Sequence, residues 1–159
     1  MPSHELSPFA APACRRRLLA GFGVLMMSAA AVSAPSAALP APPARAEAVD
    51  WDHFGEPSLS AARRANVAVT KAMQARAVDT QLYRLPGDTT WEFVLGHYQQ
   101  AAKPTWKLAG GAGRVETGNP AWQQRFTAAG DAKGGFAVVW LPAGGDVRDG
   151  LLMVLSTSP

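Results

Sequence analysis

The feature that most constrains folding is a basic cluster directly followed by a moderately apolar run. Together they indicate that the N-terminal part of the chain is a targeting segment and does not belong to the folded domain. Three consecutive arginines precede the run Leu18–Ala34, and an Ala-x-Ala triplet follows a Pro/Ala-rich stretch. A basic region, an apolar region and such a triplet are the parts of an export signal. We expect a signal over residues 1–46, cleaved before Glu47. The residues that carry this prediction are Arg15, Arg16, Arg17, Ala44 and Ala46.

The export route stays open between two pathways. The arginines, with Leu18 and Leu19 after them, resemble the twin-arginine export motif, whereas an arginine-rich leader would also serve general secretion. The apolar run is diluted by glycine and serine and is shorter than the roughly 20 apolar residues of a membrane-spanning helix. We therefore expect a periplasmic or secreted protein, with an inner-membrane anchor through residues 18–34 as the alternative.

Removal of the signal changes the charge balance that bears on partners. The whole chain has a formal net charge of +3, but residues 47–159 contain equal numbers of basic and acidic residues. The mature protein therefore lacks the basic excess that favours nucleic acid or an anionic membrane surface. The one cysteine, Cys14, falls in the predicted signal. The mature chain would then have neither disulfides nor thiol chemistry.

The rest of the chain predicts one small domain of the α+β class. Residues 47–57 form an N-terminal extension that we expect Trp51 and Phe54 to dock, and residues 58–159 form the domain itself. Strong helix formers after Pro57 predict a first helix over residues 58–77.

A second helix has the clearest signature. The sequence Thr89-Thr90-Trp91-Glu92 fits a capping box, apolar residues follow at helical spacing, and Pro104 ends the pattern. This predicts a capped amphipathic helix over residues 90–103, packed on one face of an antiparallel sheet. Alternating or continuously apolar stretches predict the strands of that sheet: 81–85, 105–108, 122–128, 136–141 and 151–155.

The search for chemistry finds few candidates, and we predict no catalytic residue, no metal site and no cofactor. His97 has no acidic residue, cysteine or second histidine three or four positions away to join it in a site. Asp52, His53 and Glu56 lie close in sequence, but their spacing matches no known metal motif. The glycine-rich stretch 110–118 lacks the Gly-Lys-Ser/Thr of a phosphate-binding loop, which favours a hairpin turn.

The function predicted by this pattern is that of a small, non-catalytic accessory or interaction protein of the bacterial cell envelope, which docks a protein partner through a sheet edge or the surface beside the helix. The alternative is a module that binds small molecules or cell-wall polymer through exposed tryptophans. A carboxylate-dependent enzyme is a third possibility. Burial of the tryptophans at positions 106, 122 and 140 would favour the first function over the second. The candidate binding residues are Trp106, Trp122 and Arg125.

Overall fold

The structure is a computed structural model that describes residues 38–129, 134–144 and 148–157. The arginines of the predicted signal and the possible anchor 18–34 lie outside this part of the chain, whereas Ala44 and Ala46 lie within it. The elements in chain order are β1 (Glu47–Val49), a short 3-10 helix (Trp51–His53), α1 (Ser58–Ala72), β2 (Asp79–Leu85), α2 (Trp91–Ala101), β3 (Trp106–Leu108), β4 (Gly113–Arg114), β5 (Trp122–Ala128), β6 (Gly135–Leu141) and β7 (Gly150–Ser156).

The strands form a single antiparallel sheet, which confirms the predicted α+β class. Their order is β1-β2-β7-β6-β5-β3, and β4 pairs with β5 beside β3. The two most apolar stretches of the sequence, β6 and β7, lie at the centre and pair with each other over their whole length. The short strands β1 and β3 lie at the two ends of this order.

The helices pack on opposite faces of the sheet, so the structure has three layers. The side chains of β6 alternate between the faces, with Trp140 on the α2 side and Val139 on the α1 side. Small residues of α1 approach one face closely, and Tyr98 of α2 packs on the other. The sequence predicted a helical cover for one face only. Cover on both faces explains why β6 and β7 are apolar at nearly every position, since neither face reaches water.

The helix ends differ from the sequence prediction for local reasons. The N-cap of α2 is Thr90, whose hydroxyl accepts from the Phe93 amide at 3.3 Å, one residue later than the predicted Thr89 box. The Thr89 amide instead donates to the Pro86 carbonyl at 2.9 Å, so the turn after β2 extends to Thr89. Helix α1 ends at Ala72 and not at residue 77, because Gln74 has a φ of 54° and leaves the right-handed helical region.

The predicted N-terminal extension is part of the folded domain. It contributes β1, which pairs with β2 along the edge of the sheet. Phe54 is buried in the core on the α1 side, and Trp51 packs against that core. The two aromatic residues therefore hold the extension to the domain, as the sequence led us to expect.

Candidate functional site

The tryptophans proposed as a binding surface are largely buried. Trp106 is 9 % exposed and Trp140 is 1 % exposed, and both belong to the core on the α2 side. Trp122 is half-buried, and the guanidinium carbon of Arg114 lies 5.8 Å from its ring centroid. No pair of these rings forms an open platform on which a planar ligand could stack.

Arg125, the third candidate binding residue, lies on the other face of the sheet. Its cross-strand partner is Ala137, which belongs to the α1-side core. Its Nη1 atom donates to the carbonyl of Ala72, the last residue of α1, at 2.7 Å. The structure therefore does not bring Arg125 together with Trp106 and Trp122, and the guanidinium holds the C-terminal end of α1 against the sheet.

The two histidines in this part of the chain lie far apart in the fold and have different neighbours. His53 is exposed, packs edge-on against Phe54 and borders an open depression of about 270 Å³ that also contains Glu56. His97 is half-buried on α2, and its Nε2 atom lies 2.9 Å from the carbonyl oxygen of Ala41. Within the described ranges, no group of three His, Cys, Asp or Glu side chains is placed to hold a metal ion.

An ion-pair network borders the same depression. Arg84 donates to the Glu47 carboxylate, and its Nε atom lies 3.7 Å from an oxygen of Asp149. The hydrogen bond and charge of Glu47 raise the pKa of Arg84, so the guanidinium stays protonated. This network joins β1 to β2 at the sheet edge.

Three buried side-chain polar atoms have no hydrogen-bond partner among the described residues, namely those of Thr70, Tyr98 and Gln123. The hydroxyl of Tyr98 lies under α2 without a hydrogen bond among the described residues. Burial raises the pKa of Tyr98 well above its ordinary value, so the phenol stays neutral. The depressions that border His53, β1 and the start of α1 are not lined by Tyr98, and a buried hydroxyl without a partner lowers the stability of the fold.

The glycine-rich stretch after β3 forms a turn that leads into another strand, but this turn is not the predicted hairpin turn, because β3 and β4 both pair with β5 and not with each other. Gly110 has a φ of 79°, which favours glycine, and its carbonyl accepts from the side-chain amide of Gln124 at 3.1 Å. The chain then enters β4, which pairs with β5. A phosphate-binding loop would instead lead into a helix N-terminus.

The outer edge of β3 is a surface that sequence reasoning did not find. The Ala109 amide donates to the Arg125 carbonyl, and the Ala129 amide donates to the Thr105 carbonyl, each at 2.9 Å. In an antiparallel pair, alternate residues exchange hydrogen bonds with the neighbouring strand. Positions 105, 107 and 109 therefore face β5, and the amide and carbonyl of Leu108 point away from it.

The Leu108 side chain makes this edge apolar as well as open. Its cross-strand partner Phe126 belongs to the α2-side core, so Leu108 lies on that side of the sheet. Leu108 is nevertheless 54 % exposed. Two other large apolar side chains are strongly exposed among the described residues, namely Phe93 on α2 and Val67 on α1. Of the three, Leu108 lies on a strand, and its amide and carbonyl point away from β5, whereas the other outward amide of β3, that of Trp106, donates to the Ala102 carbonyl at 2.8 Å.

Two other depressions are shallow and have no convergent set of reactive groups. One of about 350 Å³ lies beside β1 and β2 and is bordered by Val49, Trp51 and Tyr83. Another of about 260 Å³ lies at the start of α1, between Pro57 and Leu141.

No helix in the described parts of the chain is long and apolar enough to cross a bilayer. Comparison with protein-family models, curated proteins and solved structures finds no match to this chain.

Proposed function

We propose that this protein is an exported, non-catalytic accessory protein of the bacterial cell envelope that binds a protein partner along the outer edge of β3. The observation that carries the proposal is the combination of an outward-pointing backbone amide and carbonyl with a half-exposed side chain at Leu108. The strand is short and carries the exposed Lys107, and the outward amide of Trp106 donates to the Ala102 carbonyl, so the site for pairing is centred on Leu108. A backbone amide and carbonyl that face away from the sheet can pair with an extended segment of another chain.

The binding mode that fits this edge is addition of a strand from the partner. The amide and carbonyl of Leu108 would pair with the backbone of an extended segment, and this main-chain pairing would supply affinity. Leu108 would contact an apolar side chain of the partner on the α2 side. Lys107, the exposed neighbour on the opposite face, would favour an acidic side chain at the adjacent position of that segment. The partner is thus an extended polypeptide with alternating apolar and acidic residues.

The burial of Trp106 and Trp140 supports this proposal over a tryptophan-based sugar or small-molecule site. A stacking platform needs at least two accessible rings on one surface, and these two rings are used in the core. Export rests on the arginine cluster and the apolar run of the sequence. Expression of the full chain followed by separation of cytoplasm, membrane and periplasm tests that part directly.

The docking surface is tested with three variants of the tagged, full-length chain, recovered from envelope extracts after crosslinking. Leu108→Lys replaces the exposed apolar side chain by a charge, and Leu108→Pro removes the outward amide, which makes no bond within the sheet. Val67→Lys is the matched control, because Val67 is 69 % exposed on α1, on the opposite side of the sheet. Circular dichroism confirms that each variant is folded.

We expect one stoichiometric partner to be retained by the wild type and by Val67→Lys, and to be lost or reduced at least tenfold in both Leu108 variants. Equal recovery of that partner with folded Leu108→Lys and Leu108→Pro would refute the β3 edge as the docking surface. Loss with Val67→Lys alone would move the surface to α1. Retention of the intact chain in the cytoplasm would refute export.

A further inference from the structure

The chain just before β1, residues 38–46, lies along the α2 side of the domain, and we call it the strap. Leu39 and Ala46 pack against the core on that side, and Pro43 is buried. Apolar residues at the beginning, middle and end of the strap thus contact the domain. The strap is part of the folded structure, although the sequence predicted that these residues belong to the export signal.

Polar contacts hold the strap at two further points. The indole Nε1 of Trp106 donates to the carbonyl of Ala38 at 3.3 Å. The Nε2 of His97 lies 2.9 Å from the carbonyl oxygen of Ala41, a distance at which the ring N–H donates to it. These donors come from β3 and α2, so the strap crosses both. An indole N–H that is mostly shielded from water is costly to leave without an acceptor.

The predicted cleavage point, after Ala46, lies at the C-terminal end of the strap, directly before β1. The Ala46 amide donates to the Pro43 carbonyl at 2.9 Å, which closes a turn directly before β1. Proteases act on extended, accessible chain, whereas Ala46 is half-buried in this turn. Cleavage after Ala46 would also place a new positive amino group on Glu47, the residue that pairs with Arg84 across β1 and β2.

A triplet upstream of the strap satisfies the same small-residue rule. Ala31-Val32-Ser33 has small residues at the first and third positions and follows most of the apolar run. We propose that the signal is removed upstream of Ala38, and that the mature protein keeps residues 38–46 as a strap over α2. This inference rests on the proposed export, because it concerns the processing of the exported chain.

The test is N-terminal sequencing and intact-mass measurement of the exported full-length protein. We expect an N-terminus no later than Ala38. An N-terminus anywhere from Leu39 to Glu47 would overturn the retained strap and leave export intact. An intact Met1 in the cytoplasm would overturn the export proposal instead, so the two failures are distinguishable.

A single substitution provides a second measurement. Ala44 is exposed in the strap, so Ala44→Arg is compatible with the fold, but it destroys the Ala44-x-Ala46 triplet. If the signal is removed upstream, Ala44→Arg leaves the amount of mature protein unchanged and raises its mass only by the Ala-to-Arg difference. Accumulation of unprocessed precursor in this variant would show that the triplet is the cleavage site and would refute the inference.

Discussion

The position of Gly150 under a buried indole leads to a sharp prediction about the centre of the sheet. A Cβ atom at Gly150 would overlap Cη2 of Trp140 and would lie 2.5 Å and 2.7 Å from Cζ2 and Cζ3. Carbon atoms in van der Waals contact are about 3.5 to 4.0 Å apart. Gly150→Ala therefore requires either the Trp140 ring or β7 to move by more than an ångström.

The size of the effect follows from the surroundings of the ring. Trp140 lies on the central strand β6 under the α2 layer and is 1 % exposed, so the ring has no solvent-filled space to enter. Overpacking a core costs typically 1–3 kcal/mol, and a rigid ring without room to move should give about 2–3 kcal/mol. For a domain of this size we expect the Tm to fall by roughly 10 °C.

The assay is thermal unfolding followed by circular dichroism, with one control and one rescue. Gly113→Ala is the matched control, because Gly113 is also in a strand and a Cβ there meets no atom within 4 Å. Trp140→Phe shrinks the ring over Gly150, so the double variant should lose less stability than the two single variants together, by about 1–2 kcal/mol. An unchanged Tm for Gly150→Ala, or strict additivity in the cycle, would refute this packing.

Two further predictions concern buried polar groups. Tyr98→Phe removes an unpaired hydroxyl and should leave the free energy of unfolding at pH 7 unchanged or raise it by about 1 kcal/mol. Because the folded-state pKa of Tyr98 is raised, the wild type should lose stability as the pH rises above about 10 more steeply than this variant does. Urea unfolding of both proteins at pH 7 and 10.5 measures the difference. Arg125→Ala removes the bond to the Ala72 carbonyl and should cost about 1–2 kcal/mol in the same assay, whereas Arg63→Ala on the exposed face of α1 should cost less than about 0.5 kcal/mol.

Local sequence patterns predicted an element well where the interactions that define it come from residues close in sequence. The strand 122–128 has the same bounds in the structure, because its alternation is set by one buried and one less buried face. The cap of α2 was assigned to the wrong threonine. Thr89 and Thr90 are equivalent as cap residues in sequence, and the Pro86 turn selects Thr90.

The surface properties of the candidate site could not be predicted in this way. Trp106 and Arg125 were candidate binding residues because of their residue types. In the structure, Trp106 donates to the strap and Arg125 holds the end of α1. The sequence did not predict Leu108 as a binding residue, because an apolar residue at the end of a short strand usually belongs to the core. Its exposure follows from the position of β3 at the end of the strand order, which requires the whole sheet to be known.

The sequence by itself determined the class of the domain, its two helices and five of its strands, and the expectation of export, because each depends on residues that are neighbours in the chain. Only the tertiary structure decided that β1 and β4 form, that α1 and α2 cover opposite faces, that the Leu108 backbone faces away from the sheet, and that residues 38–46 belong to the fold. The physical reason is the same in each case. Burial and hydrogen bonding of these groups are supplied by residues distant in sequence, such as Trp106 and Ala38, and no local periodicity encodes such a pairing.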